Sequence, residues 1–158
     1  MKLYKIVVDL ILNMLNNESK LIIDNFVIET QCIAYLIKLG ENKEFLNKNK
    51  DDLVNIFDLI ITSQEKFIHT KLICDGVCEF YKEILKDNPT MENIEIIIKN
   101  FICMFNYNQK LINDKNNIII LHLEKIGVHD IINNFKGRED LSDEAMELIN
   151  EILALFQN

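Results

Sequence analysis

Apolar residues recur three and four positions apart along most of this chain, and one stretch of that pattern occurs twice. Residues 75–106 recur, without a gap and 51 positions later, as residues 126–157. Each copy opens with a Gly-Val step (Gly76-Val77, Gly127-Val128), runs through one helical stripe, crosses a polar turn and enters a longer stripe. Val77, Phe80, Tyr81 and Ile84 align with Val128, Ile131, Ile132 and Phe135. Past the turn, Ile94, Ile97, Ile98, Phe101, Ile102 and Phe105 align with Ala145, Leu148, Ile149, Ile152, Leu153 and Phe156. This spacing puts the matched residues on one face of an α-helix. Two helices this short cannot bury their apolar faces alone, so a tandem pair predicts stacking of unit on unit into a helical solenoid.

The remaining elements come from the same period. Val7, Leu10, Ile11, Met14 and Leu15 predict a first amphipathic helix ending at Asn16-Asn17. A second pattern runs from about residue 20 to 39, with Ile28, Cys32, Tyr35, Leu36 and Leu39 on one face, and breaks at Gly40. A third carries Leu53, Ile56, Phe57 and Ile60, and the polar residues 47–52 before it are expected to form its cap region. Thr62-Ser63-Gln64-Glu65 has capping-box spacing, so a helix is expected to start there and run through Phe67, Ile68 and Leu72. Asp75-Gly76 should end that helix, because Ile126-Gly127 stands in the same place of the second copy. Thr90 and Ser142 are the expected N-caps of the longer helices, with Glu92, Asp143 and Glu144 placed to meet the positive helix start. Over residues 116–123, Ile118, Ile119 and Ile120 in a row read equally well as a buried strand; helix is expected because no second strand stands ready to pair with it.

Composition narrows the class. The chain has 158 residues, 49% apolar and 27% charged, with only four Gly and one Pro, which suits one folded all-α domain rather than a β-sandwich or a disordered chain. The expected domain is 1–158, with units at approximately 1–42, 43–74, 75–108 and 109–158. Acidic residues outnumber basic ones 25 to 17, giving a formal charge of -8 with no local basic patch, so a nucleic-acid partner is not expected. Residues 6–15 are too few to span a bilayer and include Asp9 and Asn13, so membrane insertion is not expected either. Cys32, Cys74, Cys78 and Cys103 all sit within apolar helical patterns, and a signal peptide is not expected. Reduced thiols and a cytoplasmic location are therefore expected.

The residues resemble armadillo-type repeats, in which a short helix turns through glycine into a second helix and a longer third helix comes after it. Residues 123–132 and, after a polar turn, 143–156 carry the resemblance most clearly. Residues 28–39, 41–46 and 52–60 resemble the junction between one repeat's third helix and the next repeat, and Phe105, Tyr107-Asn108 and Leu111-Ile112 repeat the Leu39, Glu41-Asn42 and Phe45-Leu46 pattern. HEAT repeats share much of this pattern. The resemblance implies a right-handed α-solenoid of about three repeats, with third helices that line a protein-binding surface. Peptide-gripping members present an asparagine just before the last large apolar residue of the third helix, often near a tryptophan. Those positions fall here on Lys38, Met104 and Ala154 or Leu155, and there is no tryptophan, so that mode of recognition is not implied.

Candidate chemistry is sparse. Cys74 and Cys78, four apart, would share a face of a continuous helix and could be completed as a zinc site by His69 or His122. Two small core residues flanking the Gly76 turn are the expected reading, since no second CxxC-like pair exists. His122 and His129 flank the second glycine turn and read as surface or helix-end histidines before pH sensors. The sequence holds no GxSxG, phosphate-cradling glycine loop or HExxH, so no catalysis, metal or cofactor is expected.

The face opposite each core stripe is left. On the helix after Thr90 it is expected to carry Asn93, Lys99, Asn100 and Asn106, with Ile96 and Cys103 at its edges; on the last helix, Met146, Glu147 and Asn150. Lys38, Asn93, Lys99, Asn100, Met104 and Asn150 are the candidate partner-binding residues of a non-catalytic interaction scaffold or adaptor, with another protein as its ligand. Self-association through uncapped repeat ends is a further expectation. The alternative is a compact Bcl-2-like helical inhibitor, whose groove takes an amphipathic helix.

Overall fold

The computed structural model describes residues 2–17, 31–63, 66–111 and 118–157. Every regular element among them is an α-helix: α1 Lys2–Asn17, α2 Cys32–Gly40, α3 Lys43–Ser63, α4 Lys66–Asp75, α5 Val77–Lys86, α6 Met91–Leu111, α7 Ile118–Lys125, α8 Val128–Phe135 and α9 Asp143–Leu155. None of them is long and apolar enough to cross a membrane. The triple isoleucine of residues 118–120 is helical, as expected. Two compact units are distinguished, residues 1–80 and 81–158.

In the first unit α1 packs on α3, and α2 packs on both α3 and α4. The predicted α3 stripe is buried throughout, Leu53, Ile56, Phe57 and Ile60, but the stripes of α1 and α2 are corrected. Ile11, Leu15 and Leu36 are buried together with Val8 and Ile33, whereas Val7, Leu10 and Tyr35 are exposed, because the face that packs on α3 is rotated from the one the spacing selects. Phe57 and Phe80 stand edge to face, with centroids 5.3 Å apart. Gly40 is buried against the same Phe80 ring, where a Cβ would come within 2.5 Å of Cε2. Gly40 therefore does more than end a helix; its bare backbone makes room for an aromatic ring.

Two expectations about helix starts are corrected here. The polar residues 47–52 do not cap α3, which begins at Lys43 and runs straight through them. Its start is capped by Asn42, whose Oδ1 accepts from the Phe45 amide at 3.1 Å. Asn49, inside the polar run, is buried and donates to the Phe45 carbonyl at 2.8 Å. Nor does a helix start at Thr62. It lies within α3, where it donates back to the Asp58 carbonyl at 2.7 Å, and the next helix begins at Lys66. Glu65 and most of the second predicted pattern, over residues 20–30, lie outside the described residues.

The glycine breaks are as expected. Gly76 has φ +97° and Gly127 φ +79°, both left-handed, and each separates two short helices, α4 from α5 and α7 from α8. A left-handed residue cannot continue a right-handed helix and is costly for a residue with a Cβ. A longer helix comes after each pair, α6 after α5 and α9 after α8.

In the second unit α6 packs on α7 and α9, α7 on α8, and α8 on α9. Burial tracks the duplicated pattern. Ile94, Ile97, Ile98, Phe101, Ile102 and Phe105 are buried on α6, and of their counterparts on α9 Ala145, Ile149, Ile152 and Leu153 are buried while Leu148 and Phe156 are half-buried. Val128, Ile132 and Phe135 of α8 are buried like their counterparts Val77, Tyr81 and Ile84.

These interiors make two outcomes testable. At Gly127 nothing lies within 4 Å of an added Cβ, so the cost of Gly127→Ala is backbone strain alone, about 1–2 kcal/mol in urea unfolding, and Gly127→Asn should lose less because asparagine tolerates the left-handed region. His69, buried on α4, holds the Ile61 carbonyl from Nε2 at 3.0 Å, and burial keeps its pKa below the ordinary 6.5. The unfolded chain then takes up this proton at higher pH than the folded one. Stability should be unaffected by this group above that value and fall as pH drops below it. Urea midpoints between about pH 7.5 and 5.5 should show a decline that is flatter in His69→Gln.

Candidate functional site

The two longer helices of the second unit carry the candidate surface, and each begins at a side-chain cap. Thr90 Oγ1 accepts from the Asn93 amide at 3.2 Å and Ser142 Oγ from the Ala145 amide at 3.0 Å, as the sequence predicts. Each cap fixes where its helix starts. Ser142 also donates to Glu95 Oε1 at 2.6 Å, so the hydroxyl that starts α9 is tied to the side of α6.

Further contacts hold the same edge. Lys99 Nζ lies 2.8 Å from Glu144 Oε1, and this partner keeps the Glu144 carboxyl below its usual range. Arg138, the only arginine, binds Asp140 through Nε and Nη2 at 2.9 and 2.6 Å, reaches the Pro89 carbonyl from Nη1 at 3.2 Å, and covers the Phe135 ring at 5.9 Å. The Asp140 carboxyl is lowered and the Arg138 guanidinium raised by that pairing. Exposed ion pairs add little stability. What ties the elements is the Arg138–Pro89 hydrogen bond, which pins the α8–α9 turn beside the start of α6, and the Lys99–Glu144 pair, which links α6 to the first turn of α9.

Between α6 and α9 lies an open groove of about 390 Å³. Ile102, Cys103 and Leu148 give it apolar lining, Tyr107 lines it further along α6, and Lys99, Asn106 and Glu151 supply polar groups. Lys99, Asn106 and Glu151 are exposed, Cys103, Tyr107 and Leu148 half-buried.

The predicted binding residues divide on this geometry. Lys99 lines the groove, and Asn150 is exposed on α9. Lys38 is exposed on α2, in the first unit. Asn93, Asn100 and Met104 are corrected: they are 2%, 0% and 0% exposed, so they belong to the interior and offer a partner no surface. The reason is that α6 is covered by more than one neighbour, and the buried arc is wider than its apolar stripe. Asn100 is accommodated by donating from Nδ2 to the Tyr81 hydroxyl at 2.9 Å, and Tyr81 in turn stands edge to face with Phe101 at 5.7 Å. Periodicity misses Leu148 and Glu151. Leu148 aligns with the buried Ile97 and reads as core; its half-exposure depends on what covers α9, which the spacing of apolar residues does not report.

Cys74 is on α4 and Cys78 on α5, so the left-handed Gly76 breaks the continuous helix that a shared ligand face would need. Cys74 is exposed and Cys78 buried, with its thiol pushed up to about 12 by burial and by Glu79. Burial raises Cys32 as well. No group of three potential metal ligands occurs among the described residues. His129 is packed edge to face on Phe156 at 5.0 Å, with Nδ1 3.2 Å from Asp130 Oδ1.

The buried Asn100–Tyr81 bond should be detectable energetically. Tyr81→Phe leaves the amide donor without its acceptor and should cost about 1–3 kcal/mol in urea unfolding, and Asn100→Leu combined with it should recover part of that loss. No family model, curated protein or solved structure matches the chain, so its reading rests on these residues and their geometry.

Proposed function

We propose that the chain is an armadillo-type α-solenoid that serves as a non-catalytic scaffold or adaptor, binding another protein through the surface of its long repeat helices. The observation that carries this reading is the repeated order of elements. Short helix, left-handed glycine, short helix and longer helix occur as α4, Gly76, α5, α6 and again as α7, Gly127, α8, α9. In the second unit the longer helix of one set packs on the longer helix of the next, three elements on, as third helices of successive repeats would. Most aligned positions share their burial, which supports a common unit used twice.

The surface chemistry supports a protein ligand. The groove between α6 and α9 is open, lined by aliphatic and aromatic groups and edged by amide and charged side chains, a composition suited to another protein's side chains. The raised pKa values of Cys32 and Cys78 keep both thiols protonated and poor as nucleophiles, which favours binding over covalent catalysis. The formal charge of -8 favours a protein over a nucleic acid as partner.

Affinity capture from cell extract with quantitative mass spectrometry tests the assignment. Lys99→Glu combined with Asn106→Arg alters two exposed groove residues, and recovery of the specific partner should fall at least about tenfold while the thermal midpoint stays within about 2 °C. Undiminished recovery would place binding elsewhere and reject this surface.

A further inference from the structure

We infer that the partner enters the α6–α9 groove as an amphipathic helix, with aliphatic side chains one turn apart against Ile102 and Leu148 and a lysine or arginine directed at Glu151. This deepens the binding-scaffold reading and rests on it. Three properties of the groove lead to it.

The first is length. Lys99 and Tyr107 both line the groove and are eight residues apart on α6, which spans about 12 Å, or a little over two helical turns. Side chains at i and i+4, or i and i+7, of an incoming helix fall within that reach. The second is the supply of hydrogen-bonding groups. An extended peptide brings unpaired backbone amides and carbonyls that its groove must satisfy, whereas a helix satisfies its own. The described lining is mainly apolar, and among the described residues Asn106 is its one amide side chain. That arrangement matches a ligand whose backbone is already paired.

The third is charge. Lys99 is engaged by Glu144 at 2.8 Å, so the cation of the rim is neutralised within the chain. Glu151 lines the groove from α9, is exposed, and makes no ion pair with any described residue. Among its described residues the rim is therefore net negative, in a chain whose formal charge is -8. A basic side chain flanking the aliphatic anchors complements it, and an acidic one is repelled.

A displayed library of helical peptides about four turns long, with randomised outward positions, is selected on the full chain and counter-screened on Leu148→Glu and Glu151→Lys. Circular dichroism and thermal unfolding establish that each variant keeps its helices. Selected peptides should share aliphatic residues three or four apart and a flanking Lys or Arg. Their affinity should drop at least about tenfold on Leu148→Glu, and about three- to tenfold on Glu151→Lys, the latter loss shrinking as salt is raised. Should Leu148→Glu fail to fold, the exposed Glu151→Lys variant decides alone through the charge preference. Binders that depend on Leu148 but are acidic or extended would overturn this inference and leave the binding surface standing. Selection of no binder that responds to either substitution would overturn both.

Discussion

The second unit depends on one packing interaction, that of the apolar face of α6 on the matching face of α9. Helical propensity is the smaller contribution to either helix, since most helical stability in a folded chain comes from packing an apolar face. Ile94, Ile97, Ile98 and Phe101 on one side, and Ala145, Ile149 and Ile152 on the other, are each at most 1% exposed. Burying an isoleucine or phenylalanine in this way contributes about 1.5–3 kcal/mol, so a few such residues outweigh all the exposed ion pairs along the edge. The caps, the Ser142–Glu95 bond and the Arg138 contacts then fix where the two helices start relative to each other. That register sets the groove geometry, since Lys99, Ile102 and Cys103 face Leu148 and Glu151 only if the helices are aligned as they are.

Much of this was legible because it is written in local chemistry. Gly76 and Gly127 stand at the same place of a duplicated pattern, and a left-handed turn is a backbone requirement that glycine meets most cheaply. Thr90 and Ser142 announce helix starts through a hydroxyl one turn before an apolar run. The helix at Ile118–Lys125 was expected from the lack of a second strand to pair with it. Each of the glycine and cap signals involves residues within a few positions of each other.

The misread positions involve surfaces that distant elements cover. Asn93, Asn100 and Met104 lie off the apolar stripe of α6 and read as its outer face, yet α6 is packed on by α7 and α9 and buries a wider arc. A polar residue in that arc survives by finding a partner, as Asn100 does in Tyr81, and one helix's periodicity says nothing of such a partner. Residues 47–52 look like a cap because they are polar, but most of them are simply the solvated side of α3, while Asn49 turns inward to bond its own backbone. Leu148 shows the reverse error, an apolar residue placed in the core that instead lines an open groove.

The central claim is that α6 and α9 are equivalent elements packed as one cooperative body, and native-state hydrogen exchange under increasing mild denaturant tests it most directly. The amides of Ile97, Ile98 and Phe101 on α6 and of Ile149, Ile152 and Leu153 on α9 should be among the slowest of residues 81–158 and should merge into one opening reaction of the same free energy and denaturant dependence. Separate openings for the two helices, or slower exchange in α7 and α8 than in either, would contradict that claim.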